Sequence, residues 1–292
     1  MEYVVTHIIG GLGNQMFQYA AGYALSRRFN AHLQFDISDF SHYSLHNGLE
    51  LVKVFNCPFE CASQQAIEAV LGRPTNIKFL DRIKFLAYTR LYPKHILVDR
   101  YRPEDKFKIN VPLYMKGYWQ NERYFKDYSQ DIRKIFSFRS EMNDQNLSTL
   151  EKILQGNSIS MHVRRGDYIT NSKAAAELGS TPMSFFRSAI SYMTRKVASP
   201  RFFVFSDDID WARSNLNTGW PTEYIENNQG SFSFFDMQLM SQCRHHIITN
   251  SSFSWWGAWL NPDPEKIVIG PQKWFANTKR LYNPCPPEWV LL

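Results

Sequence analysis

The chain has 292 residues, 44% of them apolar and 15% aromatic, with 33 Lys+Arg against 27 Asp+Glu for a formal charge of +6. That is long enough for two domains with separate cores, and the composition is globular, without low-complexity tracts or internal repeats. The basic residues are spread along the chain instead of forming a basic arm or helix, which argues against nucleic acid and suits an enzyme for an anionic substrate or a membrane-associated partner.

The start, MEYVVTHIIGGLGNQ, has no Lys or Arg before its apolar stretch, and Asn14, Gln15 and Gln18 break the apolar character soon after it, so it is not read as a signal peptide. Tyr3 to Ile9 reads as a buried strand, GGLGN as a tight turn, QMFQYAAGYALSRRF as a helix and HLQFD as a second strand ending at Asp36. Cys57 and Cys61 have no matching His or Cys pair nearby, and with Cys243 and Cys285 they are too few for a disulfide scaffold, so neither zinc nor an oxidising compartment is expected. The span from about Ser38 to Lys152 is less regular. FLDRIKFLAYTRLY and YFKDYSQDIRKIF have helical character, and VPLYMKGYW has that of a strand. The polar stretch SEMNDQNLSTLEKILQGN marks a boundary between domains 1–152 and 153–292. No segment reaches the ~18 to 20 apolar residues of a membrane span.

Beyond the boundary the alternation is regular. ISMHV is a strand, and TPMSFFRSAISYMTRKVA a helix with Thr181 as N-cap and Pro182 at its first position. Strand FFVFS, helix DIDWARSNL, strand TEYIE, helix SFFDMQLMSQC, strand HHIITN, helix SSFSWWGAWL and strand KIVIG come after it. This is the pattern of an α/β protein with a mostly parallel, doubly wound sheet.

In such a sheet, ligands bind beyond the carboxyl ends of the strands. Those ends carry His162, Arg164, Arg165 and Asp167, then Ser206, Asp207 and Asp208, then Asn250, Ser251 and Ser252 at a helix start. The combination suits a nucleoside diphosphate. Arginines grip phosphate oxygens bidentately. A helix start offers free N–H groups to an anion, and an aspartate can accept the adjacent N1 and N2 donors of guanine. Each group alone has a plainer reading: a salt-bridged turn for the arginines, helix caps for the serines. Asp208 and Asp210 form a D-x-D, read as capping a helix in preference to holding a metal. The Trp-rich SWWGAWL is read as a packing helix before a sugar platform. Arg165-Gly166-Asp167 spells an adhesion tripeptide, but it lies behind a buried strand. In GGLGNQ the third position of a dinucleotide fingerprint is Met16, so an NAD(P) enzyme is disfavoured. Gly11 and Gly13 are expected instead to permit close backbone approach, with Asn14 and Gln15 offering amides to a sugar.

GGLGNQMFQYAAGYALSRR, HVRRGDYI, FSDD and ITNSSFSWWGAWLN, in this order, resemble the bacterial α-1,2-fucosyltransferases of glycosyltransferase family 11. The resemblance implies a GT-B fold, two Rossmann-like domains facing across a cleft, the first on the acceptor side and the second binding the GDP-sugar. It also implies a GDP-β-L-fucose donor, no further cofactor, and metal-independent, inverting transfer to O2 of a terminal galactose on a free or lipid-linked glycan. Carried onto these residues, His162, Arg164, Arg165, Asp207, Asn250, Ser251, Ser252, Gly11 and Gly13 bind the donor, with Arg164 on the departing β-phosphate and Asp207 on guanine. Arg164, Asn14 and Asp167 form the catalytic group. The proton acceptor stays open among Asp167, Asp36 and His7, because Ser172 stands where related α-1,6 enzymes carry a glutamate. The absence of the N-terminal anchor of eukaryotic members suggests a bacterial cytoplasmic enzyme of surface-polysaccharide (O-antigen) synthesis, at most peripheral to the inner face of the membrane. A carbohydrate-binding module and a metal-dependent transferase built on Asp208 and Asp210 are the competing readings.

Overall fold

The computed structural model describes residues 2–42, 46–71, 96–99, 111–166, 179–276 and 282–292. The chain forms two compact units, Met1–Arg139 and Ser140–Leu292.

The first unit is built on a parallel sheet in the order β2-β1-β4-β3. Strand β1 (Tyr3–His7) runs through the glycine turn into helix α1 (Leu12–Phe29), and β2 (His32–Asp36) returns beside β1. Helices α2 (Leu51–Val54) and α3 (Gln64–Leu71), strands β3 (Ile96–Val98) and β4 (Leu113–Lys116) and helix α4 (Ser129–Ile135) come next. The strand expected in VPLYMKGYW is β4. YFKDYSQDIRKIF is helical only from Ser129, after two 3-10 turns. FLDRIKFLAYTRLY lies outside the described residues.

Helix α1 is buried well beyond a single stripe, and two of its fully buried residues are Gln15 and Gln18. A buried primary amide is tolerated only when its donors and acceptor are matched. Gln15 Nε2 donates to the carbonyls of Gly10 (2.8 Å) and Gly48 (2.7 Å), and its Oε1 accepts from Glu50 N at 2.9 Å. Gln18 Nε2 donates to Gly117 O and its Oε1 accepts from Ile9 N, both at 3.0 Å. The two glutamines therefore fasten the loops after β1 and β4 to the helix. Gln15 has no amide left to offer a sugar, which corrects that expectation.

The second unit contains α5 (Asp144–Leu154), β5 (Asn157–Val163), α6 (Met183–Lys196), β6 (Pro200–Ser206), α7 (Ile209–Asn215) and β7 (Thr222–Ile225). It continues through α8 (Phe234–Gln242), β8 (His245–Ile247), α9 (Ser252–Leu260), β9 (Val268–Gly270) and β10 (Val290–Leu291). The sheet order is β10-β9-β8-β5-β6-β7, with all pairs parallel. Counted from β5 and read from the β7 edge this is 3-2-1-4-5-6, the Rossmann order. The chain winds outward from β5 to β7, then crosses to β8 on the other side of β5. The winding therefore reverses between β5 and β8.

Both faces of the sheet are covered. Ile159, Met161 and Val163 of β5 pack with Phe186, Ala189 and Met193 of α6 and with Phe202 and Val204 of β6. Trp255, Trp256 and Trp259 of α9 are at most 2% exposed, so SWWGAWL is a packing helix, as expected. Pro182 is the N-cap of α6, because its extended ψ of 154° cannot lie inside a helix. Thr181, expected as that cap, instead donates its hydroxyl to Asn250 Oδ1 at 3.1 Å.

The division between units falls at residues 139 and 140, ahead of the expected 152 and 153. The polar stretch taken as a boundary is α5, which docks on the second unit through a buried amide cluster. Asn146 and Asn228 exchange two hydrogen bonds of 2.9 Å, Asn227 adds a third to Asn146 Oδ1, and Asn228 Nδ2 donates to Asp236 Oδ1 at 2.8 Å. Removing one member strands the others in a site from which water is largely excluded. Asn146→Ala is expected to destabilise the second unit by about 2–3 kcal/mol. Urea denaturation followed by tryptophan fluorescence measures this, and an unchanged midpoint would exclude the cluster as the anchor of α5.

Candidate functional site

Register brings the expected residues together. Val163 pairs with Ser206 on one side of β5, and Met161 pairs with Ile247 on the other. Extended past those pairs, the same register sets Arg164 level with Asp207 toward β6 and with Asn250 toward β8. This is the carboxyl edge of the sheet at its reversal point, where open α/β sheets bind ligands.

The two adjacent arginines have different surroundings. Arg164 Nη1 lies 3.1 Å from Asp207 Oδ2. Arg165 turns to α7, with Nε 3.2 Å from Asp208 Oδ2 and its guanidinium carbon 3.7 Å from the centre of the Trp211 ring. Arg165, expected to bind the donor, is thus stacked and ion-paired within the protein. Asp208 caps α7 by accepting from Trp211 N at 3.2 Å, in agreement with the capping reading. Asp207, expected to read guanine, has both oxygens engaged by the loop after β5, accepting from Arg165 N at 2.8 Å and Gly166 N at 2.9 Å.

On the β8 side, Ser251 is the N-cap of α9 with extended backbone, and its own side chain makes no capping hydrogen bond. The backbone N–H groups of its first turn and the positive end of its dipole are the groups on which the anion-binding expectation for Ser251 and Ser252 rests. Asn250 serves differently. Its amide oxygen accepts from Thr181, and its Nδ2 donates to Gly179 O (3.1 Å) and Trp274 O (3.2 Å), so this side chain ties the flanking loops together.

In the glycine turn after β1 the residue whose backbone demands glycine is Gly10, with φ of +90°. Gly11 is the N-cap of α1 at φ −72°, and Gly13 is buried in its first turn. Asn14 lies beside the turn, its Oδ1 accepting from Gln120 Nε2 at 2.7 Å. At the ends of β1 and β2, His7 Nε2 contacts Asp39 Oδ2 at 3.0 Å, and the hydrogen bond from His7 holds the Asp39 carboxyl below its ordinary pKa. Asp36 accepts from Tyr114 Oη (2.6 Å) and Ser38 N (2.9 Å), so both its oxygens are engaged. Asp167 lies outside the described residues.

Sequence reasoning missed Trp211, Thr249 and Asp236. Trp211 stands three residues after the capping Asp208, and a cation–π shelf for a neighbouring arginine leaves no sequence signature. Asp236 is a lone acid in the apolar run SFFDMQLM. Burial, only partly offset by its hydrogen bond from Asn228, pushes its carboxyl up to about 8.

The model of Glycosyl transferase family 11 matches residues 84–291. An α-1,2-colitosyltransferase of Escherichia coli is 34% identical over 99% of both chains. The O-antigen biosynthesis glycosyltransferase WbnK of Escherichia coli is 35% identical over 93% of this chain and 94% of its own. More distantly, galactoside α-(1,2)-fucosyltransferase 2 of Mus musculus is 25% identical over 86% of this chain and 66% of its own. Among solved structures, fucosyltransferase NodZ from Bradyrhizobium superposes with a TM-score of 0.56 at 15% identity, covering 89% of this chain and 93% of that one. That likeness supports the α/β fold with parallel sheets.

His162 joins the two strands at the reversal point, with Nδ1 3.2 Å from Thr249 Oγ1. Burial and then the adjacent Arg164 charge lower its pKa to about 3, and burial likewise keeps His246 well below 6.5. His162 therefore supplies a neutral ring at this edge. The unfolded chain takes up a proton near pH 6.5 that the folded chain refuses. The stability linked to His162 is present above about pH 6.5 and lost as pH falls toward 3, by about 2–3 kcal/mol at pH 4.5. Histidine-selective NMR at pH 5, assigned with His162→Gln and His246→Gln, is expected to show both rings neutral. A ring at either position protonating near pH 6.5 would contradict its burial.

Proposed function

Because the chain belongs to glycosyl transferase family 11 and is a glycosyltransferase, we propose that it moves L-fucose from GDP-β-L-fucose to O2 of a terminal galactose, inverting the anomeric centre without a metal. The observation that carries this reading is that the end of β5, with Arg164, and the start of α9, after β8, both lie at the carboxyl edge where a Rossmann-ordered sheet reverses. Both features suit a diphosphate. The GT-B arrangement implied by the resemblance is part of the same proposal.

In this reading the galactose hydroxyl attacks the fucose anomeric carbon while the bond to the β-phosphate oxygen breaks. The bonding pair leaves with GDP, and the hydroxyl proton passes to a base or to water. Charge grows on the leaving phosphate as the sugar gains oxocarbenium character. A fixed guanidinium and helix dipole bind that charge more strongly in the transition state than in the substrate. They would do the work that a divalent cation does elsewhere. For the base, the engaged oxygens of Asp36 speak against it, which leaves His7, backed by Asp39, and Asp167 as the groups to test, with Asn14 orienting the hydroxyl.

The acceptor we propose is a galactose-terminated glycan of surface-polysaccharide synthesis, free or lipid-linked, with the reaction in the bacterial cytoplasm or peripherally at the inner membrane face. The O-antigen biosynthesis relative supports this choice of acceptor. The colitosyltransferase relative supports a second donor. Colitose is fucose without its 3-hydroxyl, so the same phosphate grip would serve either sugar.

One assay separates these readings: GDP-fucose or GDP-colitose with a panel of β-galactosides, in EDTA or with Mn²⁺, and linkage analysis of the product. Fucose on galactose O2, formed in EDTA, is the expected result. Exclusive use of GDP-colitose would move the proposal to the second donor, and loss of turnover in EDTA would refute the metal-free mechanism. Arg164→Ala is expected to lower kcat by about 10² to 10³, and near-normal turnover would remove its assigned role.

A further inference from the structure

We propose that Asp207 is a positioning residue that acts through Arg164, holding the loop after β5 so that this guanidinium faces the diphosphate. The inference rests on the nucleotide-sugar reading above and adds a residue to it. Asp207 receives three donors from three consecutive residues. Oδ1 takes Arg165 N at 2.8 Å, and Oδ2 takes Gly166 N at 2.9 Å and Arg164 Nη1 at 3.1 Å. Those backbone groups lie just past the last ladder pair of β5, where no strand partner serves them. A base-reading carboxylate needs both oxygens turned to the ligand, whereas here both are turned to the loop.

Two neighbouring features fix the carboxylate itself. Ser206 Oγ donates to Val163 O at 2.9 Å and accepts from Asp208 N at 3.0 Å, which locks the end of β6 against β5. A Cβ on Gly166 would fall 2.8 Å from Asp207 Oδ2. The glycine of HVRRGD is thus the residue that lets the carboxylate seat against the backbone. The R-R-G of one motif and the S-D-D of the other interlock as one device. A guanidinium has five N–H donors, so pairing with Asp207 is compatible with gripping phosphate oxygens. Fixing its orientation before the donor arrives lowers the entropy lost on binding.

The experiment measures GDP and IDP affinity by calorimetry, together with kcat, for wild type, Asp207→Ala, Gly166→Ala, Arg164→Ala and the Asp207→Ala/Arg164→Ala pair. Thermal melts verify that each variant is folded. IDP lacks only the 2-amino group of guanine. Asp207→Ala is expected to lower kcat by about 10- to 100-fold, the scale of a misplaced catalytic group. It should weaken GDP and IDP by the same factor, leaving their ratio unchanged. Gly166→Ala, which displaces the carboxylate without removing it, is expected to do likewise. In the Arg164→Ala background, Asp207→Ala should add less than about twofold, as expected when two residues act as one unit.

Collapse of the GDP/IDP ratio in Asp207→Ala would overturn the proposal in favour of base reading. Full additivity with Arg164→Ala would show that Asp207 does not act through that arginine. If wild type binds GDP and Arg164→Ala weakens it while Asp207→Ala does not, the positioning role fails and the functional reading survives. A wild type that ignores GDP would overturn both.

Discussion

A chain that leaves a buried parallel strand in a sharp turn exposes backbone N–H groups without ladder partners, and two adjacent arginines at such a turn repel each other. Asp207 and Asp208 meet both demands. One carboxylate accepts the N–H groups of Arg165 and Gly166 and pairs with Arg164; the next pairs with Arg165 and caps α7. An exposed ion pair contributes little to stability. These pairs, with side chains 22–36% exposed, are joined to backbone donors, a helix cap and an aromatic shelf, so the effect is mainly geometric. The arginines are driven apart, one to the sheet edge and one onto Trp211. Everything asked of the site depends on that divergence.

A second constraint decides where the edge lies. The interface of β5 with β8 is stitched by buried polar groups among apolar strands. Asn261 Oδ1 accepts from Asp263 N, so its Nδ2 faces His246 Nε2 at 3.0 Å, and the same Nδ2 donates to Cys243 O. His246 Nε2 is therefore the acceptor, and its Nδ1–H donates to Ser160 Oγ at 2.8 Å. Ser158 Oγ accepts from Arg244 N, and Thr249 meets His162 at the carboxyl end. A slip of β8 by one residue would leave these groups unpaired inside the sheet, a cost that apolar strands alone would not impose. The polar seam thus fixes the register that sets Arg164 level with Asn250 and the start of α9.

The alternation of strands and helices after residue 155 was legible because parallel, doubly covered strands are short apolar runs and the helices between them are periodic. The strand-end cluster was legible because topology alone assigns ligands to that edge. What single residues do there was not. Arg164 and Arg165 are identical in sequence terms; what separates them is the partner each meets, Asp207 for one and Asp208 with Trp211 for the other. Gln15 was read as an amide for a sugar and Asn250 as a donor-binding residue because a sequence does not show which amides are already bonded within the protein, and both tie loops together. The boundary was misplaced because α5 is polar on its outer face. The contact that assigns it to the second unit is a side-chain bond between residues 82 apart in sequence.

The paired carboxylates carry a further consequence for anion binding. At the end of β5 the two arginine charges are balanced by the two aspartates, so net charge gives little attraction for a diphosphate. His162 adds none, since burial keeps its ring neutral. Attraction must come from oriented groups: the Arg164 donors and the N–H groups opening α9, whose directions are fixed before a ligand arrives. An edge of this kind discriminates by geometry. In the nucleotide-sugar reading, inorganic anions, which bind wherever positive charge accumulates, would gain little from it, whereas a diphosphate spanning the distance from β5 to α9 would engage both ends. Low net charge also limits how tightly a leaving nucleotide is held once the sugar has gone. Fixed dipoles at a nearly neutral edge favour the charge that develops during transfer over the charge already present in the substrate.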